Sequence, residues 1–230
     1  MPAMKPEIFN YDMICAILEG RKTVTRRLIK RSGHKVENLL TPERYRGYRY
    51  AFSAWDCMEQ TKTGIFLAPR HRPGDIIYVR ENYAVMSELP DICDTSGIVY
   101  MADFSPRELE DLKEKHFCWK PSIYMPRKYA RLFLQVTNVW PEHVRDITEK
   151  QACLEGIDKY DIGSEGIAYG AGPNSHVFHE TATDAFAELW NSTIMAPDYP
   201  LYGWLANPMV WVYEFKVVSR EEVFGERGDA

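Results

Sequence analysis

The chain has 230 residues, 45% of them hydrophobic, which is enough to bury one sizeable core, and we expect a single domain with long insertions. Its cysteines (Cys15, Cys57, Cys93, Cys118, Cys153) are odd in number, scattered and without a CxxC pair, which argues against a disulfide framework or a structural zinc and for a reducing compartment. A net charge of −5 argues against a protein that coats nucleic acid through a broad basic surface, and the lack of any long apolar run gives no support to secretion or membrane spanning, so a cytoplasmic location is expected.

In chain order, NYDMICAILEG predicts a short amphipathic helix, with Asn10 as N-cap, an apolar stripe of Met13, Ile14, Ile17 and Leu18, and Gly20 at the C′ position. The β-branched KTVTRRLI that follows predicts a strand from Thr23 to Ile29. Residues 31 to 47 are polar and basic and read as an exposed excursion. Strands are then expected over Tyr48 to Trp55, over GIFLA, over DIIYVRENY after the turn Arg72-Pro73-Gly74-Asp75, and over GIVYMADF. A charged helix spans Pro106 to Lys115. The strand ARLFLQVTNVW leads into DITEKQACLEG, a capped helix closed by Gly156. Residues 158 to 180 are rich in Gly and Ser and read as a mobile loop; a helix over TDAFAELWNSTI and a strand PMVWVYEFKVV follow. Many strands and short helices without a βαβ rhythm point to an α+β domain built on a small barrel. The domain is expected to run from residue 1 to 219, with insertions at about 31 to 70 and 158 to 180 and a frayed tail over 220 to 230.

One charge feature stands out. From Gly20 to Val36 the chain carries Arg21, Lys22, Arg26, Arg27, Lys30, Arg31 and Lys35 and no acid, so it reads either as an anion-attracting patch or as a solvated charged face.

The segments LEGRKTVTRR, RPGDIIYVRE, PSIYMPRKYARLFLQVTNV, ITEKQACLEGI and GWLANPMVWVYEFKV, in this order and spacing, resemble an ASCH-domain family common in phage and prophage genomes. The resemblance touches Phe9 to Val218 and implies a PUA-like small β-barrel with short flanking helices, a fold shared with domains that bind RNA. It also implies an activity. Small bacterial members of the wider ASCH group remove the acetyl group of N4-acetylcytidine with a lysine and a threonine of a GRKTxT segment and a glutamate of a later AxxE segment, which fall on Lys22, Thr25 and Glu155 here.

Hydrolysis of an acylated exocyclic amine needs a nucleophile, a base for its proton, an oxyanion donor and an acid for the leaving amine. Thr25, Lys22, Arg27 and Glu155 offer that set, with Arg21, Arg26 and Arg27 placed to depress the lysine pKa. Lys22 and Thr25 are three apart and would face opposite sides of a regular strand, so they converge only if Lys22 lies in the turn before it. In YVREN, Arg80 and Glu81 also face opposite sides, and one of them is expected to line an interior pocket; Arg80 then meets an internal carboxylate or presents its fork to a phosphate or base edge. Trp119 and Arg127, and Trp204 with Asn207, are candidates for base stacking and amide recognition, or else the aromatics fill the core or cover a sheet edge, as is expected of Trp140 and Trp211. His176 and His179 lack a third ligand, so neither metal nor cofactor is expected. Three functions remain open: a hydrolase of an acylated nucleobase or nucleoside, a non-catalytic module for RNA or a modified base, and a phage protein that binds a host factor. The oligomeric state is not legible.

Overall fold

The computed structural model describes residues 3–30, 34–40, 49–56, 58–85, 97–114, 117–172 and 177–225. Its centre is a five-stranded sheet of β1 (Met4–Ile8), β6 (Ile76–Arg80), β9 (Phe133–His143), β12 (Met209–Val218) and β2 (Val24–Leu28), in that spatial order. β1 runs parallel to β6, and every other pairing is antiparallel. The long pair β9 and β12 forms the middle, where alternation puts Met209, Trp211, Tyr213 and Phe215 on one face and Val210 and Val212 on the other.

The first face is covered by a three-stranded sheet, β3 (His34–Leu39), β4 (Tyr50–Asp56) and β5 (Thr61–Leu67), and by α1 (Tyr11–Leu18). Tyr50 and Phe52 pack on Trp211 with ring centroids 5.3 and 5.7 Å apart. The second face is covered by α3 (Glu149–Leu154) and α4 (Ala182–Ser192), which contribute Ala152, Phe186, Leu189 and Trp190. The remaining pieces are β7 (Tyr83–Val85) with β8 (Ile98–Tyr100), α2 (Pro106–Glu114), the hairpin β10 (Asp158–Asp161) with β11 (Ile167–Gly170), α5 (Tyr199–Tyr202) and α6 (Arg220–Phe224).

The fold is therefore mixed α and β with several sheets and short helices, as expected, but among the described residues the strands do not close into a barrel by backbone pairing. β1 and β2 remain the two edges of the main sheet. The edges do approach each other: the Arg27 guanidinium on β2 donates to the Ile8 carbonyl on β1 at 2.9 Å.

Three further expectations are corrected. The excursion at 31 to 47 contains strand β3, which pairs with β4 from His34 opposite Asp56 to Leu39 opposite Phe52; residues 31–33 and 41–48 lie outside the described residues. The loop at 158 to 180 begins as a β-hairpin, because Asp158 to Asp161 pair with Ile167 to Gly170 and the Tyr160 hydroxyl donates to the Gly172 carbonyl at 2.9 Å. The start of the tail is a capped helix. Ser219 caps α6, and Phe224 meets Phe133 edge-on at 5.4 Å, so 220 to 224 are anchored rather than frayed. Strand β1 was not anticipated: Met4, Pro6 and Ile8 alternate with Lys5 and Glu7, but a proline in so short a run speaks against a strand, and it is tolerated here because β1 is an edge of the sheet.

Candidate functional site

Local sequence signals place the site. α1 is capped by Asn10, whose side chain accepts from the Met13 amide, and ends at Gly20 with φ +76°, the left-handed turn that glycine tolerates best. The amides of Arg21 and Lys22 then both donate to the Ala16 carbonyl at 2.9 Å, so Lys22 lies in the turn before β2, as convergence with Thr25 requires. α3 has a Thr148–Gln151 capping box and ends on Glu155, followed by Gly156 with φ +102°. A Cβ on Gly156 would sit 3.0 Å from Ala16 Cβ and 3.6 Å from Lys22 Cβ, so the ends of two helices and Lys22 meet at a bare backbone. Gly156→Ala is expected to cost about 1 to 3 kcal/mol in urea unfolding; a loss below about 0.5 kcal/mol would mean the turn is not tight.

At this junction Lys22 and Glu155, 133 positions apart, form a buried ion pair with Nζ to Oε2 at 2.6 Å. The lysine gives its other two hydrogens to the carbonyls of Val24 at 2.8 Å and Glu155 at 2.7 Å, the latter at the C-terminal end of α3 where a cation is favoured. Burial lowers the Lys22 pKa, while the Glu155 carboxylate works against that shift and Arg27 and Arg26 add to it. The second oxygen of Glu155 accepts from Arg26 Nη1 at 3.1 Å. Arg26 in turn donates through Nε and Nη2 to Glu142 Oε1 at 3.0 and 2.6 Å, reaching from β2 across β12 to β9. Trp140 Nε1 completes the chain at Glu142 Oε2, at 2.8 Å.

Beside this network lies a pocket of about 370 Å³, a size within the range of small-molecule sites. Thr25, Arg26, Arg27 and Glu155 form its polar side, and Met13, Phe186, Leu189 and Trp190 its apolar side. Among the described residues no hydrogen bond engages the Thr25 side chain, which is 3% exposed. Phe186 and Trp190 are four apart on α4 and share one face. The arrangement combines a hydroxyl, a carboxylate edge and guanidinium donors with a stackable wall, a chemistry suited to a planar polar ligand.

The other sequence candidates disperse. Arg21 is tied to Asp158 at 2.7 Å and Glu19 at 2.6 Å. Arg27 spans Ile8, the Phe9 ring at 4.8 Å and Glu7 at 3.8 Å. Lys30 pairs with Asp198 at 3.7 Å. The acid-free run is thus not a free cationic patch over its described part, because the fold brings carboxylates to it; Arg31 and the Lys35 side chain lie outside the described residues.

Arg80 is absent from the pocket lining; it donates to the Ile123 carbonyl at 3.1 Å, and among the described residues it pairs with no carboxylate. Glu81, 1% exposed, takes a two-pronged bond from Arg131, at 2.9 Å for each prong; burial pushes its pKa up against the pull of that guanidinium. It borders a second cavity of about 290 Å³ with Tyr11, Asn82 and Ser122. Trp119 packs on Phe117 and Phe104, and Arg127 lies over Phe224. Trp204 contacts Phe186 from behind the pocket wall, at 6.1 Å between centroids. Asn207 serves a turn: its φ is +46° and its side-chain oxygen accepts from the Arg145 amide at 3.1 Å.

His179 pairs with Glu188 at 2.6 Å, and His176 lies outside the described residues. Among the described residues no group of three His, Cys, Asp or Glu is placed to hold a metal, and no helix is long and apolar enough to cross a membrane. Glu142, Phe186 and Trp190 were not anticipated. The signals were an acid two residues after a tryptophan on one strand face, and an aromatic pair at helical spacing.

No protein-family model matches the chain, no curated protein matches it, and no solved structure matches its fold.

Proposed function

We propose that this chain is an ASCH-type hydrolase of an acylated nucleobase or nucleoside, with N4-acetylcytidine as the reference substrate. The observation that carries the proposal is the 2.6 Å contact between Lys22, buried behind the pocket lining, and Glu155, which lines the pocket together with Thr25. The main sheet, whose two edges Arg27 bridges, supports a relation to the PUA-like barrels.

In this reading Lys22 first passes a proton to Glu155 along their 2.6 Å contact, and the amine so freed takes the proton of the Thr25 hydroxyl as that oxygen attacks the acyl carbon; burial lowers the Lys22 pKa in the direction a base needs. Arg27 donates to the oxyanion. Glu155, protonated from Lys22, hands that proton to the departing amine as the C–N bond breaks. Water then cleaves the acyl-threonine ester, giving the free acid and restoring the hydroxyl.

A second reading, a binding module without chemistry, draws on the engagement of all three Lys22 hydrogens by Val24 and Glu155. The deciding experiment incubates the purified protein with N4-acetylcytidine and with acetylated RNA and follows cytidine by mass. Release of cytidine is expected; binding without release of acetate or cytidine from either substrate would leave the binding module.

A further inference from the structure

We propose that Glu142 is a positioning residue for the Lys22–Glu155 pair and acts on it through Arg26. The effect on turnover rests on the hydrolase reading, whereas the coupling itself does not.

Both oxygens of Glu142 are committed. Oε1 takes Nε and Nη2 of Arg26, and Oε2 takes the indole N–H of Trp140. With one end of its fork fixed in this way, Arg26 has a single direction left for Nη1, and that direction meets Glu155 Oε1. Glu155 is then gripped on both oxygens, by Arg26 on one and Lys22 on the other. Because the Lys22 and Arg26 side chains are fully buried, water cannot supply this orientation.

The charges make the same point. β2 contributes Arg27 and Arg26, both of which act to lower the Lys22 pKa; Lys22 precedes β2; α3 contributes Glu155 and β9 contributes Glu142. Without Glu142, the Arg26 charge would act on Lys22 with no carboxylate of its own, and a low-dielectric site amplifies that repulsion. Glu142 therefore offsets Arg26 and limits how far that guanidinium depresses the Lys22 pKa, while it holds Arg26 in contact with Glu155.

The test uses the intact protein with labelled lysine and follows the Lys22 side chain by NMR through a pH titration, without substrate. Glu142→Gln removes the charge and leaves an amide that cannot accept from both Arg26 and Trp140. Lys22 should titrate at a lower pH than in the wild type. Arg26→Gln removes the opposite charge and should move the midpoint to higher pH; it carries the test if Glu142→Gln does not fold. In turnover, the acid limb of the Glu142→Gln profile should move with the Lys22 midpoint, and kcat should fall about tenfold with KM within a few-fold. A Lys22 midpoint unmoved in both folded variants would overturn the proposal, because a purely structural role lowers stability and leaves the titration alone. If the wild type shows no turnover, the hydrolase reading fails, and the Lys22 midpoints still decide whether Glu142 is coupled to the pair.

Discussion

Replacing Glu155 by alanine should lower the unfolding free energy by about 3 to 5 kcal/mol, the largest loss expected from any single substitution at the site. Glu155 is 2% exposed and is the only carboxylate the buried Lys22 ammonium touches among the described residues. Its removal leaves that ammonium with two carbonyl acceptors and no counter-charge in a place water does not reach. The double variant Lys22→Met/Glu155→Leu removes both charges and should lose less than Glu155→Ala alone, since the cost of burying an orphan ion disappears. Urea unfolding of the single and double variants measures the difference. A Glu155→Ala protein within about 1 kcal/mol of wild type would show that the pair is not buried in solution.

Thr25→Ala should reduce turnover of an acylated nucleoside by about a hundredfold or more while leaving ligand affinity within a few-fold. The reason is positional. Thr25 sits opposite Tyr213 in the β2–β12 register, within a strand held by backbone pairing, so losing a hydroxyl removes the nucleophile and little packing. Thr25→Ser keeps the hydroxyl and should retain most of the turnover. Single-turnover kinetics with affinity measured separately distinguishes the two effects. Equal loss of affinity and turnover would make Thr25 a binding contact, and unchanged turnover would remove it from the chemistry.

Sequence alone determined the elements whose signals are local. Asn10 and Gly20 bound α1, the Thr148–Gln151 box and Gly156 bound α3, and alternation marked β9 and β12, because caps, left-handed turns and strand faces are settled by residues a few positions apart. The same locality put Thr25 on a strand and made a turn at Lys22 the condition for their convergence, which the bond from the Lys22 amide to the Ala16 carbonyl meets.

Tertiary structure decided the rest. β1 became a strand because β6 offered a parallel edge from Met4 opposite Ile76 to Ile8 opposite Arg80, and nothing in Met4-Lys5-Pro6-Glu7-Ile8 announces that partner. The Gly-rich stretch after Ile157 became a hairpin through pairing that composition does not reveal. Lys22 and Arg26 looked uncompensated because the acids that neutralise them lie far along the chain: Glu142 is 116 positions from Arg26, and Glu155 is 129 from Arg26 and 133 from Lys22. An ion pair is set by distance in space, and a linear count of charges does not contain that distance. For the same reason Glu142 stayed invisible as a site residue, although it holds the guanidinium that holds Glu155.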